Sequence, residues 1–404
     1  MTTDKKQAIL RSAERLFSTK GFDQTTVADI AKKTGIHEAS LYSYFNGKKI
    51  ILFELVGEYL QNAIKTLKEH FLGMVEAGPK LRKSIWHFLA DMDTTANPDR
   101  ARILMMVQKE NPEFYASTYF RYMDEYMKLL VETIKAGQEE GLFKTEVSPR
   151  LIRNMTVGTS LFTAYGQILH GYSYDPHEAS DVIYRLVVNA FGPRVSPPAD
   201  EAFPRGRRPK KDRSAARREH ILEISTKVFA RNGFSASTIS EIAKHASMGD
   251  ATLYGYFENK EAILMAIPEF HMKDLLSDHD FFSNAQTGAE GKLRKLIWRW
   301  VWKLWTEEDF ARVLVLELLR NEHFYSSKGY GFFEQFLKEI EKVVHEGERE
   351  GIFIREVPFP TYIYMTIGTI DQFLLPQFLL NRPAPGLAEL CAIVDSLVDA
   401  IKVK

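Results

Sequence analysis

The sequence predicts an all-α protein in which one helical module is used twice. Three observations carry this reading. First, the chain repeats itself. AILRSAERLFSTKGFDQTTVADIAKKTGIHEASLYSYFNGKKIIL (8–52) aligns without gaps to HILEISTKVFARNGFSASTISEIAKHASMGDATLYGYFENKEAIL (220–264), an offset of 212. KLRKSIW (80–86) falls on KLRKLIW (292–298) at the same offset. After a two-residue shift NPEFYAS (111–117) meets NEHFYSS (321–327), GQEEGLFKTEV (137–147) meets GEREGIFIREV (347–357), and MTVGT (155–159) meets MTIGT (365–369). Second, apolar residues recur at helical spacing in both copies, and nowhere does strand-like alternation hold for long. Third, GPRVSPPADEAFPRGRRPKKDRSAARRE (192–219) separates the copies. Rich in Pro and Gly and poor in large apolar residues, it reads as a loop followed by an arm.

The elements follow in chain order. Ile9, Leu10, Ala13, Leu16 and Phe17 lie on one face of a first helix, and Gly21 stops it. Thr26-Val27-Ala28-Asp29 and Thr238-Ile239-Ser240-Glu241 fit a capping box ahead of a short apolar helix. Glu is usual at the last position, so the Asp29 version is the weaker match. The first short helix runs from Thr26 to about Thr34 with Val27, Ile30 and Ala31 inward, and Gly35 sits at the turn, where glycine takes positive φ cheaply. The second starts near His37 and ends at Phe45, with Leu41 and Phe45 four apart on its buried side. Further amphipathic helices are expected around 48–72, 79–95, 101–115, 118–140, 149–169 and 176–191, with equivalents in the second half. The domain boundaries expected from this are 1–50 and 219–262 for two helix-turn-helix heads, 51–191 and 263–404 for two helical domains, and 192–218 for the linker and arm.

Composition excludes several classes. The 404 residues are 45% apolar and 12% aromatic, enough for sizeable cores. A single cysteine, Cys391, leaves no internal disulfide and suits a reducing cytoplasm, the expected location. Its segment, GLAELCAIVDSLV, reads as an apolar helix, so Cys391 reads as core rather than nucleophile. The start MTTDKKQAIL has no apolar core after its lysines, unlike a secretory signal, and no run of ~18 apolar residues suggests a membrane span. No G-x-S-x-G, P-loop, Rossmann fingerprint or paired-cysteine metal signature occurs, so neither an enzyme nor a metal or cofactor site is expected. Net charge is zero, but its distribution is not flat. Residues 1–203 are neutral, 219–404 carry −7, and PRGRRPKKDRSAARR (204–218) carries +7. A solvated linker is the plainest reading of such a run.

A compact helix-turn-helix presenting one short helix has the geometry that enters a major groove. LYSYFNGKK (41–49) and LYGYFENKE (253–261), preceded by GFDQTTVADIA and GFSASTISEIA, resemble the N-terminal DNA-binding domain of TetR-type bacterial repressors. The resemblance covers about the first 50 residues of each copy, and the helical remainder fits that family's ligand-binding and dimerisation domain. It implies that Thr25, Thr26, Ser237 and Thr238 cap a helix and meet a phosphate. Tyr42 and Tyr254 would contact the DNA backbone, Tyr44 and Tyr256 would share that role with packing, and Lys48 and Lys260 would meet phosphate. His37, Glu38, Ser40, Asp250 and Thr252 match positions that face base edges. Departures exist: Ala39 and Ala251 stand in place of the usual glycine, His37 and Gly249 in place of serine, and Ser247 in place of the turn glycine. Glu38 and Asp250 put an acid at the front of each recognition helix, to accept from a cytosine amino group or to repel phosphate. HEASLYSY and GDATLYGY differ, so the two heads need not read the same half-site.

The resemblance further implies a double-stranded DNA operator as partner and a small apolar or aromatic effector bound among the later helices. Aromatic candidates are Trp86, Phe88, Tyr119, Tyr122, Tyr126, Phe162 and Tyr165 in the first copy. In the second they are Trp298, Trp302, Trp305, Phe324, Tyr325, Phe333, Phe336 and Phe373, although aromatics at this spacing usually form core. The last two helices of each copy match the family's four-helix dimer interface, so an intrachain pseudo-dimer is expected, with Leu161, Phe162, Ile168, Phe373, Leu374 and Phe378 at or near it. The rival arrangement is a homodimer of tandem chains. A functional alternative is an effector-sensing scaffold acting by protein contact, kept open by the second head, which carries −2 against +4 for the first. The basic run, with Arg205, Arg207, Arg208, Lys210 and Lys211, brings the second head to +5 and reads as its DNA-gripping arm; its RGR core resembles minor-groove arms.

Overall fold

The computed structural model describes residues 2–97, 99–110, 112–193, 216–277 and 288–403, and these divide into two compact units, Met1–Arg185 and Leu186–Lys404. Among them the secondary structure is helical, with one isolated antiparallel bridge, Phe353 to Lys402.

The first unit begins with α1 (Thr2–Lys20), closed by Gly21 at φ 85°, then α2 (Val27–Thr34) and α3 (Glu38–Tyr42). Ile9, Ala13, Phe17, Ile30, Leu41 and Phe45 are buried together, as the helical spacing requires, and the Phe17 and Phe22 rings lie 5.3 Å apart. The recognition helix is shorter than the predicted 37–45, because it ends at Tyr42 and Phe45 reaches the core from a turn. Gly35 caps α2 at φ 75°, a conformation in which any Cβ is strained by about 1–2 kcal/mol.

Helix α4 (Lys48–His70) is followed by α5 (Ala77–Met92), α6 (Arg100–Glu110), a 3₁₀ turn (Pro112–Ala116), α7 (Phe120–Glu139), α8 (Pro149–His170) and α9 (Pro176–Phe191). The predicted helix over 101–115 is broken before Pro112, whose ring and missing N–H oppose an α-helix interior. Helix α8 is buried along most of its length despite its hydroxyls. Thr156, Thr159, Ser160 and Thr163 each donate to the carbonyl four residues back, which removes the cost of burying them.

The second unit takes the end of α9, from Leu186, and adds α10 (Ala216–Asn232), α11 (Ile239–His245), α12 (Asp250–Tyr254) and α13 (Lys260–Ser277). It continues with α14 (Ala289–Thr306), α15 (Glu308–Val313), a π-helical turn (Leu314–Leu318) and a 3₁₀ turn (Glu322–Ser326). It closes with α16 (Lys328–Arg349), α17 (Phe359–Leu380) and α18 (Leu387–Asp399). Ser247 occupies the position of Gly35 and adopts φ 56°, so the second turn holds a left-handed serine. Asn189, at the end of α9, donates its Nδ2 to the carbonyls of Asp399, Ala400 and Lys402 at 3.1, 2.9 and 2.8 Å. These carbonyls lie at and just beyond the C-terminal end of α18.

One packing site differs between the copies in a coordinated way. In the first unit the Tyr119 ring crosses α4 at Gly57, where a Cβ would lie 2.8 Å from it, and the Tyr119 hydroxyl donates to Glu54 at 2.6 Å. Lys6 of α1 pairs with the same Glu54. In the second unit the matching positions are Gly329, Glu269 and Ala266. There α16 approaches α13 so closely at Gly329 that a Cβ would sit 1.8 Å from the Met265 carbonyl oxygen, and Arg218 pairs with Glu269 at 3.0 Å.

Candidate DNA-binding heads and effector cores

In the first head the loop before α2 is built from its hydroxyls. Thr26 accepts from the Asp29 amide at 3.0 Å and Asp29 accepts from the Thr26 amide at 3.0 Å, a complete capping box. Lys20 also donates to Asp29 at 2.6 Å, and that bond with the Thr26 amide holds the Asp29 carboxyl down to about 2. In the second head Thr238 accepts from the Glu241 amide at 3.1 Å, but the Glu241 carboxylate accepts instead from Asn232 at 2.7 Å. The better sequence match therefore makes the incomplete box. The longer Glu side chain reaches Asn232, the residue that stands where the first head has Lys20.

Thr25 and Ser237 are buried, and their hydroxyls donate to Gly21 and Gly233 carbonyls, each at 2.7 Å. They hold the loop from within, whereas Thr26 and Thr238 are exposed beside them. Lys48 donates to the carbonyls of Phe22 and Asp23 and lies 4.4 Å from the Phe22 ring centroid. Lys260 does the same at Phe234, Ser235 and Ser237, and burial lowers its pKa. Both lysines thus pin the loop that presents the cap, a loop-pinning role that spacing could not indicate.

On the recognition helices His37, Glu38, Ser40 and Tyr42 are exposed, as are Asp250, Thr252, Tyr254 and Tyr256; Tyr44 is half-buried against the head core. Tyr42 and Tyr254 are 51% and 55% exposed, the most exposed rings on these faces. The two acids differ. Asp250 accepts a hydrogen bond from Ser240 of α11, which ties the front of α12 to the preceding helix. In the first head Ala28 stands at the place of Ser240 and offers Glu38 no donor side chain. Arg205, Arg207, Arg208, Lys210 and Lys211 lie outside the described residues. The first cation with a described side chain that follows them and packs on the head is Arg218, 4.7 Å over the Phe257 ring.

The effector candidates separate into groups. In the first unit Trp86 is half-buried, donates its Nε1 to His177 at 3.1 Å, and carries Lys83 3.6 Å above its ring. Tyr119 and Tyr122 are half-buried, Tyr126 is buried, and burial raises the Tyr126 pKa well above its ordinary value. Phe162 and Tyr165 pair at 5.9 Å inside α8. In the second unit Trp298 stacks on Trp302 at 5.6 Å, and Trp302 meets Trp305 at 4.9 Å. Phe324 and Phe336 are buried, the latter beside Trp300, a core tryptophan that the sequence pattern did not single out. Trp305 and Phe373 line an apolar cavity of about 20 Å³ with Val301, Ile370, Leu374 and Ile393. That is room for about one water, so a larger guest must part these helices.

Comparison with known proteins gives each half the same two matches. A family model described as bacterial regulatory proteins, tetR family, matches residues 9–55 and again 221–267. A model for the C-terminal region of YsiA-like proteins matches 57–190 and 269–396. A fatty acid metabolism regulator protein of Bacillus subtilis (strain 168) is 26% identical over 181 residues, covering 45% of this chain and 93% of that protein. The biofilm operon icaADBC HTH-type negative transcriptional regulator IcaR of Staphylococcus aureus (strain Newman) is 32% identical over 188 residues, 45% of this chain and 96% of its own. Among solved structures, fatty acid degradation regulator FadR from Bacillus halodurans has a TM-score of 0.42 at 23% identity, covering 46% of this chain and 94% of that one. FadR from Bacillus subtilis, in complex with stearoyl-CoA, has a TM-score of 0.40 at 24% identity over 45% of this chain and 97% of that one. Each relative, nearly whole, corresponds to one half of this chain.

Proposed function

The chain belongs to the tetR family of bacterial regulatory proteins and is a DNA-binding transcriptional regulator, and from that premise we propose that it is an effector-responsive repressor whose two fused modules act as one pseudo-dimer. The observation that carries the proposal is the doubled match: head and helical domain recur in order, where each relative has one of each. The Asn189 bonds support an intrachain pair, because Asn189 and Asp399 occupy the same repeat position and meet within one compact unit. Each head presents its short helix and exposed tyrosine to the DNA, and the arm around Arg207 supplies the second head with positive charge. The effector is an apolar acyl-type molecule. The apolar, mostly aliphatic lining of the cavity in the second core and the names of the fatty-acid regulators among the relatives support that class. None of the described helices is long and apolar enough to cross a membrane.

Selection of duplexes from a random pool tests this. Two unlike half-sites about one helical turn or a multiple apart are expected, released when stearoyl-CoA is added. A symmetric palindrome bound by two chains would overturn the pseudo-dimer. Binding indifferent to sequence would overturn the regulator reading in favour of a scaffold.

The unequal acids give a further expected result. Ser240→Ala should weaken binding to the selected duplex roughly two- to fivefold, the worth of one exposed hydrogen bond, without changing any base preference. Asp250→Asn, which still accepts from Ser240, should bind like the native chain. Glu38→Gln should instead relax preference at one base pair of the first half-site. Repeating the selection with each variant checks all three.

A further inference from the structure

The second unit contains a buried ion pair that the DNA-binding reading does not use. Arg320 and Asp371 are both fully buried and form a bidentate pair, with both N···O distances 2.9 Å. Arg320 follows the π-helical turn, in which the Leu319 amide reaches back five residues to the Leu314 carbonyl at 2.9 Å. The same guanidinium donates to the Val315 carbonyl inside that turn at 2.6 Å. A widened turn is locally costly and persists where something holds it; here Arg320 does.

The turn has a product. Glu317, within it, accepts from the backbone amide of Phe234 at 2.9 Å, in the loop of the second DNA head. The carbonyl of Phe234 is meanwhile held by Lys260 at 2.7 Å. The head loop is thus gripped on both sides of one residue, once by its own head and once by the helical core. Asp371 stands on α17 one residue from Ile370 and two from Phe373, both of which line the apolar cavity. From cavity wall to head loop the links are contiguous: α17, Asp371, Arg320, the π-helical turn, Glu317, Phe234.

The first unit cannot build this chain. ARILMMVQKEN (101–111) aligns without gaps to ARVLVLELLRN (311–321), which puts Met105, Val107 and Glu110 at the places of Val315, Glu317 and Arg320. Leu161 stands at the place of Asp371, and α6 is a regular helix where the second unit has its π-helical turn. Val107 is buried and has no side-chain acceptor for a loop amide. Lys48 still holds the Phe22 carbonyl, so only the grip from the core is lacking.

We propose that Glu317, Arg320 and Asp371 form a positioning relay peculiar to the second module, through which α17 sets the pose of the second DNA head. The two heads are then governed unequally: a guest that displaces α17 acts on the second head by a route the first does not have. Only the footprinting arm of the test rests on the DNA-binding reading.

Amide hydrogen exchange in the DNA-free protein tests it, with Phe234 as reporter and Phe22 as internal control. Glu317→Val should speed exchange at Phe234 by about tenfold and leave Phe22 unchanged. Glu317→Gln, which keeps an acceptor oxygen, should restore the native rate. The pair Arg320→Met with Asp371→Leu removes the charges together and fills the space, so the fold should survive while Phe234 exchange rises as in Glu317→Val. Footprints of that double variant should show protection of the second half-site lost at lower salt than the first. Native exchange at Phe234 in the double variant would overturn the relay and leave Glu317 a local cap. Equal acceleration at Phe22 and Phe234, or equal loss at both half-sites, would overturn it too. If the native chain footprints no duplex, the functional proposal falls, and the exchange comparison still decides the relay.

Discussion

Asp371→Leu alone should cost the second unit about 3–5 kcal/mol, lowering its melting transition by roughly 10 °C. The size follows from what the substitution strands. Arg320 is buried with its partner, and its charge would remain in a site that water does not reach. The Val315 carbonyl, which it would keep as an acceptor, satisfies one donor and no charge. Adding Arg320→Met should recover most of the loss, because an apolar pair of similar volume does not carry the desolvation penalty of two ions. Differential scanning calorimetry of the native chain, the single and the double variant checks both steps. A double variant as unstable as the single would mean that the damage comes from shape rather than from the unpaired charge. The first unit, which has Leu161 at this place, should keep its own transition in all three.

Neutralising Arg205, Arg207, Arg208, Lys210 and Lys211 to glutamine should flatten the salt dependence of DNA binding by a slope of up to ~4.5, about 0.9 for each phosphate that these cations no longer neutralise. Between 50 and 200 mM salt the native chain would then lose roughly 10²–10³ more affinity than the variant. The second head alone carries −2, so it depends on this run for its positive charge, whereas the first head carries +4 within residues 1–50. Arg218 anchors the end of the run to the head, through Glu269 and the Phe257 ring. Arg205 is eleven residues upstream of Ala216, which allows a reach of at most about 40 Å at full extension. Anisotropy titrations on the selected duplex at four salt concentrations give the slope. An unchanged slope would return the stretch to a plain linker.

Much of the fold was legible because the chain states it twice. Gly21, Thr26, Gly35, Leu41 and Phe45 each have local chemistry that announces a stop, a cap, a turn or a buried face, and the second copy repeats the announcement. Pro112 was equally audible, and its break in the 101–115 helix needed only the rule that proline opposes a helix interior. The N3 residue alone puts the two capping boxes in the wrong order. Lys20 and Asn232, nine residues before it, decide where the carboxylate goes. The relay was not legible. Arg320 and Asp371 are 51 residues apart in separate helices, and nothing local marks either as one of a pair. The loop-pinning of Lys48 and Lys260 depends on where a turn folds back, which a motif read along the chain does not contain.

The exchange at Gly57, Glu54 and Tyr119 against Glu269, Ala266 and Gly329 has a genetic corollary. A gene holding two similar repeats is open to recombination between them, which overwrites one copy with a tract of the other. A tract that carried Tyr119 onto position 329 without also carrying Gly57 onto 269 would drive a ring into the helix at Met265. A tract bringing Glu269 to position 57 alone would push a carboxylate into the Tyr119 ring. These positions lie about sixty residues apart in each copy, so short conversion tracts would separate them and give a misfolded product. With the trio diverged, partial homogenisation would be harmful, which would leave the two halves free to specialise without being averaged back together.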